Sequence, residues 1–246
     1  AIEGADAAVN LVGILKGDFD AVQRQGAANV AAAARDAGLD AFVHISAIGA
    51  DPESPSRYGR TKGEGEAAVR SAFPKATIMR PSVVFGQEDG FLNRFAAMQA
   101  APVVPVLRGE VKFQPVWVAD VARAIAIAAL DPQTYGGKLY ELGGPEVLTM
   151  MALNEWLAKA TGREPNFVPV PDIAGAILAT VAGFLPGAPI TRDQWLMLQS
   201  DNVVAPGAKG FDAFGITPTP MEAVAPSWLV SYRPHGRFAT TTKPAA

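Results

Sequence analysis

The stretch AFVHISAIGADPESPSRYGRTKGEGEAAVRSAFPKATIMRPSVVFG, residues 41–86, decides the fold. Its opening, AFVHISAIG (41–49), is an apolar run of strand length. DPESPS (51–56) has the composition of a loop. RYGRTKGEGEAAVRSAF (57–73) reads as a helix, although its glycines are poor helix formers. ATIMRPSVVFG (76–86) is again strand-like and ends in a turn. Upstream, AAVNLVGI (7–14) is a further short apolar run, and the Ala-rich FDAVQRQGAANVAAAARDAG (19–38) is a helix closed by Gly38. Strand, helix, strand, helix, strand is the signature of a parallel α/β sheet. The strands are apolar throughout rather than alternating, which suits burial on both faces.

Downstream the pattern loosens. Residues 90–107 read as a short helix and an extended piece, and 113–133 as a short strand entering a helix with Asp120 in its first turn. Residues 138–145 read as a strand. TMMALNEWLAKATG (149–162) is a helix capped by Thr149 and closed by Gly162. PNFVPVP (165–171) is extended, and the rest mixes helix and loop.

The chain has 246 residues, 49% of them hydrophobic and 18% charged, which supports a sizeable core. The net charge of −3 gives no footing for a nucleic-acid partner. With no cysteine, disulfides and thiolate metal sites are excluded, and the composition fits a reducing compartment. The two histidines, His44 and His235, lack a second ligand at metal spacing, so no metal site is expected. No apolar run reaches membrane-span length. The nearest, residues 173–189, is interrupted by Gly and Pro and reads as an amphipathic helix on a small lobe or as a surface for a membrane or partner.

Parallel sheets bind ligands at the carboxyl ends of their strands. Ser46 falls at such an end, and Tyr58 and Lys62, four residues apart, share one face of the next helix. A tyrosine has a reference pKa of about 10, and a nearby ammonium lowers it. The expected catalytic set is therefore Tyr58 as proton donor, Lys62 as the group that lowers its pKa, and Ser46 as the hydrogen bond to a substrate oxygen. Together they would protonate a carbonyl while hydride arrives from a nicotinamide. Y-x-x-x-K alone is a common chance match; the serine at a strand end and the R-P-S-V-V-F-G strand make it far more specific. His44, inside an apolar strand, reads as a satisfied core histidine, and Asp120 as a helix cap. Arg192 reads as a solvated arginine or as a contact for an anionic partner.

The residues NLVG (10–13), HIS (44–46), YGRTK (58–62), RPSVVFG (80–86) and DVA (120–122) resemble the extended and atypical short-chain dehydrogenase/reductases. With EDGFLNRF (88–95), FQPVWVADVARAI (113–125), ELGGPEV (141–147) and ITRDQW (190–195), the likeness is to the branch holding the nucleotide-binding accessory subunit of respiratory complex I and its bacterial relatives. It runs from residue 1 to about 230. The ubiquinone-biosynthesis helper proteins are similar to this branch.

The resemblance implies a Rossmann-type parallel sheet with a small C-terminal lobe: a partial NAD(P)-binding domain over 1–145, a lobe over 146–230 sharing elements with it, and a disordered tail over 231–246. It places the first strands and their glycine loop upstream of Ala1, which would leave the strand at 7–14 an exposed apolar edge. It implies NADP(H) in preference to NAD(H). Asn10, Leu11, Val12 and Gly13 match the loop bordering adenine and ribose, Tyr58 and Lys62 the pair touching the nicotinamide ribose, and Pro81, Ser82 and Val83 the turn beside the nicotinamide ring. Sugar-nucleotide epimerases commonly carry Asn where Val83 stands, which argues against a sugar-nucleotide substrate.

The function implied is an NAD(P)-binding accessory or assembly protein linked to complex I or quinone metabolism, its cofactor structural. The alternative is an active NAD(P)H-dependent reductase. The partners implied are complex I subunits or a quinone-pathway protein. The location implied is the cytoplasm, with peripheral contact to the inner membrane through 173–189.

Overall fold

The computed structural model describes residue 2 and residues 4–181 and 190–238. In chain order the elements are β1 (Ala7–Asn10), a π-wound turn (Asp20–Gly26) running into α1 (Ala27–Asp36), β2 (Ala41–Ile45), α2 (Arg57–Ala72) and β3 (Thr77–Pro81). Then come β4 (Val84–Phe85), α3 (Leu92–Met98), β5 (Val103–Leu107), β6 (Lys112–Phe113), β7 (Val116–Trp117), α4 (Val118–Leu130), α5 (Pro132–Tyr135) and β8 (Leu139–Leu142). β9 (Leu148–Thr149), α6 (Met150–Thr161), β10 (Asn166–Val170), α7 (Asp172–Val181) and α8 (Arg192–Met197) follow.

The main sheet has the order β1-β2-β3-β8 and every pairing is parallel. Its faces are covered separately. Phe42 and Ala8 meet Ala31, Ala34, Val69 and Phe73 of α1, α2 and the loop beyond. Val43, Met79, Tyr140 and Leu142 meet Val121, Ala124 and Ala128 of α4, with Phe211 and Phe214. Each buried large apolar side chain contributes about 1.5–3 kcal/mol. This double cover is why the strands read as continuous apolar runs. β1 is the edge strand, and Val9, Leu11 and Val12 are exposed there.

The helix with poor formers has a packing reason. A Cβ on Gly63 would lie 2.5 Å from backbone atoms of Asp51 and Pro52, and one on Gly65 would lie 2.3 Å from the Gln23 carbonyl oxygen. Both glycines let α2 lie directly against its neighbours' backbone. The expected caps of α6 are present: Thr149 accepts from the Ala152 N–H at 3.0 Å, and Gly162 has φ +64°. Asp120 does something other than cap its own helix: it accepts the Thr219 N–H at 2.6 Å, tying α4 to the chain's last third.

Beyond the main sheet, the described residues form three two-stranded pairs, β5 with β10, β4 with β7, and β6 with β9. β5 precedes residue 145 yet pairs with β10 beyond it. α3 and α6 pack through Leu92, Leu153 and Leu157 onto Leu229. The expected disordered tail is corrected over its first part. Val230–Tyr232 and Gly236–Phe238 are short 3-10 turns, and Arg163 donates to the Tyr232 carbonyl at 2.8 Å. Residues 239–246 and 182–189, part of the 173–189 segment, lie outside the described residues.

Candidate functional site

The carboxyl ends of β1, β2 and β3 carry a buried polar layer between the sheet and α2. Asn10 ends β1 and stands opposite His44 of β2 in register. Its amide nitrogen lies 3.1 Å from His44 Nδ1, and its amide oxygen accepts the Val12 N–H at 3.1 Å. Asn10 thereby shapes the 10–13 loop. Leu11 and Val12 of that loop are exposed. Gly13 approaches α2 so closely that a Cβ there would lie 3.3 Å from Lys62 Nζ.

Lys62 is buried and donates to the Ile45 carbonyl at 2.8 Å. Burial pushes its amine down to about 8, with Glu66 pulling the other way. Burial, helped by the Lys62 charge, pushes His44 down to about 3, so its ring is neutral at physiological pH. The core-histidine reading holds for one nitrogen only, since among the described residues the buried Nε2 has no hydrogen-bond partner.

Tyr58 is half-buried, its ring edge-on to Phe19 at 6.4 Å between centroids. Against the expected lowering by Lys62, burial pushes the phenol up to about 12. Ser46 is buried at the end of β2, and among the described residues its hydroxyl makes no hydrogen bond, to Tyr58 or to any other group. The structure thus joins Gly13, Lys62 and the backbone beside Ser46, while Ser46 and Tyr58 are not hydrogen-bonded to each other.

The turn after β3 is held from within. The Ser82 hydroxyl donates to the Asn202 side-chain oxygen at 2.7 Å, and the Val83 N–H donates to the same oxygen at 3.1 Å. Pro81 is buried, and its carbonyl accepts the Ile48 N–H at 3.1 Å. Among the described residues no cluster of three or more His, Asp or Glu is arranged for a metal.

Two residues of this region escaped sequence reasoning. Asn202 sits in a loop with no periodicity to mark it. Asp193 lies in the TRDQ motif, where an acidic residue reads as serving its own helix; it instead accepts the N–H groups of Arg57 at 2.6 Å and Tyr58 at 3.1 Å. Arg192, its neighbour, is exposed.

A parallel sheet with Y-x-x-x-K opening the helix after its second strand defines a Rossmann-type α/β protein. Residues 17–179 match the RmlD substrate binding domain, and the chain belongs to that family. It is 32% identical to the NADH dehydrogenase [ubiquinone] 1 alpha subcomplex subunit 9, mitochondrial, of Mus musculus, over the whole chain and 67% of that protein. It is 35% identical to the protein of the same name in Arabidopsis thaliana, over 83% of the chain and 54% of that protein. The chain thus spans between about half and two thirds of these relatives' length. In fold it is similar to the NADPH-dependent quinone oxidoreductase of Escherichia coli, solved with NADPH, at a TM-score of 0.73 and 21% identity over 93% of this chain and 77% of that one.

Proposed function

We propose that this chain belongs to an NAD(P)-binding accessory or assembly protein related to respiratory complex I or quinone metabolism, in which the nucleotide is held rather than turned over. The observation that carries this reading is the match of the chain to the mouse and Arabidopsis subunits, and the state of Tyr58 agrees with it. A phenol pushed up to about 12 is a poor match for proton transfer near neutral pH. It remains a good neutral hydrogen-bond donor, as a ribose clamp requires. Lys62, fixed on the Ile45 carbonyl, adds positive charge beside Gly13 at the carboxyl ends of the strands, where a dinucleotide lies in this fold class.

The names of the mouse and Arabidopsis relatives support the complex I link. NADP(H) is favoured over NAD(H) because the similar Escherichia coli fold was solved with NADPH. Among the described residues no helix is long and apolar enough to cross a membrane. Peripheral contact would use α7, whose Ile173, Ile177 and Val181 form an exposed apolar stripe at helical spacing.

A second reading, an active reductase acting on a carbonyl, draws on Ser46, whose buried hydroxyl has no partner among the described residues. One experiment separates the two. The intact protein is titrated with NADPH, and nicotinamide absorbance is followed with quinones and carbonyl compounds present. Binding without oxidation is the expected outcome. Steady oxidation abolished by Tyr58→Phe would establish the reductase instead, and no binding would overturn both.

A further inference from the structure

We infer that Asp193 is a positioning residue that latches the C-terminal lobe onto the first turn of α2, so that nucleotide binding and the seating of α7 and α8 are thermodynamically linked. The inference rests on the reading of Tyr58 and Lys62 as nucleotide contacts.

The first N–H groups of a helix have no partner within it. In α2 the Gly59 N–H is taken by the N-cap Ser56 hydroxyl at 3.1 Å, as local sequence allows. The N–H groups of Arg57 and Tyr58 go to the two oxygens of Asp193, more than 130 residues away, and the Ser56 hydroxyl donates to the same carboxylate at 3.2 Å. α2 has no acidic residue in its own first turn. Asp193 therefore supplies the negative charge that the positive end of the helix dipole favours. The backbone that carries the Tyr58 phenol is set by a residue of the other lobe.

Asp193 is itself firmly placed. Thr191 and Gln194 form a reciprocal capping box at the start of α8. Trp195 packs on Gly175 of α7, where a Cβ would lie 2.5 Å from the indole ring, and Ala179 and Ile190 complete that small core. Contiguous packing thus runs from the exposed face of α7, through Trp195 and Asp193, to the N–H of Tyr58. A coupling between two sites is reciprocal. Nucleotide that fixes Tyr58 must steady α8, and whatever seats α7 must tighten nucleotide binding.

The test is amide hydrogen exchange on the intact protein with and without NADPH, paired with NADPH affinities, for the wild type, Asp193→Ala and Asp193→Asn. Asp193→Asn is isosteric and carries the test if Asp193→Ala fails to fold. In the wild type, NADPH is expected to slow exchange across residues 191–198. In the variants that slowing is expected to vanish, with affinity about 5- to 50-fold weaker, a range typical of such couplings. A merely structural Asp193 would lower the melting temperature yet leave the NADPH-induced protection of 191–198 intact, and that result overturns the latch. Binding by the wild type with no protection of 191–198 also overturns it, while leaving the nucleotide reading standing. A wild type that binds no NADPH overturns that reading, and the latch with it.

Discussion

The Ser82 hydroxyl and the Asn202 side-chain oxygen meet at 2.7 Å across 120 residues of chain. The same oxygen takes the Val83 N–H, and the Asn202 backbone pairs with Lys112 and Gln114. One asparagine therefore fixes the turn after β3 to β6. An unsatisfied buried polar group costs about 1–3 kcal/mol. Asn202→Ala strands the Val83 N–H, while the Ser82 hydroxyl keeps the residue-202 backbone carbonyl at 2.9 Å, and is expected to destabilise by about 1–3 kcal/mol in urea unfolding. An effect below about 0.5 kcal/mol would show that the turn holds itself.

Gly65 tests whether propensity or packing rules α2. Alanine is favoured over glycine in a helix interior by about 1 kcal/mol. Here its methyl would sit 2.3 Å from the Gln23 carbonyl oxygen, a backbone atom that cannot swing aside. Gly65→Ala is expected to lower stability by about 2 kcal/mol or more, in the range of overpacked cores. A stabilised variant would mean that the Asp20–Gly26 turn moves freely.

His44 gives the protein a defined acid response. Its pKa is depressed from 6.5 to about 3 in the folded state, so between those values the unfolded chain binds the proton first. Its contribution is fully present above about pH 6.5 and is lost as pH falls toward 3. At 1.36 kcal/mol per unit the full loss is roughly 3–6 kcal/mol. In urea titrations at several pH values, His44→Gln is expected to flatten this slope. Parallel curves for variant and wild type would assign the acid response to other groups.

Arg80 lies between two carboxylates, bonded to Glu66 through two nitrogens at 2.7 and 2.8 Å and facing Glu141 at 3.6 Å. Glu66 is buried. Removing one partner of a buried pair costs about 3–5 kcal/mol, because the other charge is left stranded. Arg80→Met should show that loss by thermal or urea unfolding. Adding Glu66→Leu should recover most of it. Equal stability of the single and double variants would exclude a stranded Glu66 as the cause.

Much of the fold was legible because the sheet is covered on both faces. Continuous apolar runs at 7–14, 41–49 and 76–86 marked three strands, though each is shorter in the structure. Their ends are set by Asn10, by the 46–50 turn and by the Asn202 clasp, none of which has a periodic signal. Thr149 and Gly162 bounded α6 because capping is local chemistry, complete within a few residues.

The sequence by itself determined the alternation of elements, the Y-x-x-x-K face that sets Tyr58 and Lys62 on one side of α2, and the family likeness. These depend on residues close together in the chain. Tertiary structure alone decided the electrostatics. Desolvation is a property of what surrounds a group, so no spacing rule could show that Tyr58 rises to about 12 while Lys62 falls to about 8. It also decided who holds the site together. The orphan N–H groups of α2 were certain from helix geometry, but their partner, Asp193, could be chosen only by folding the second lobe onto the first.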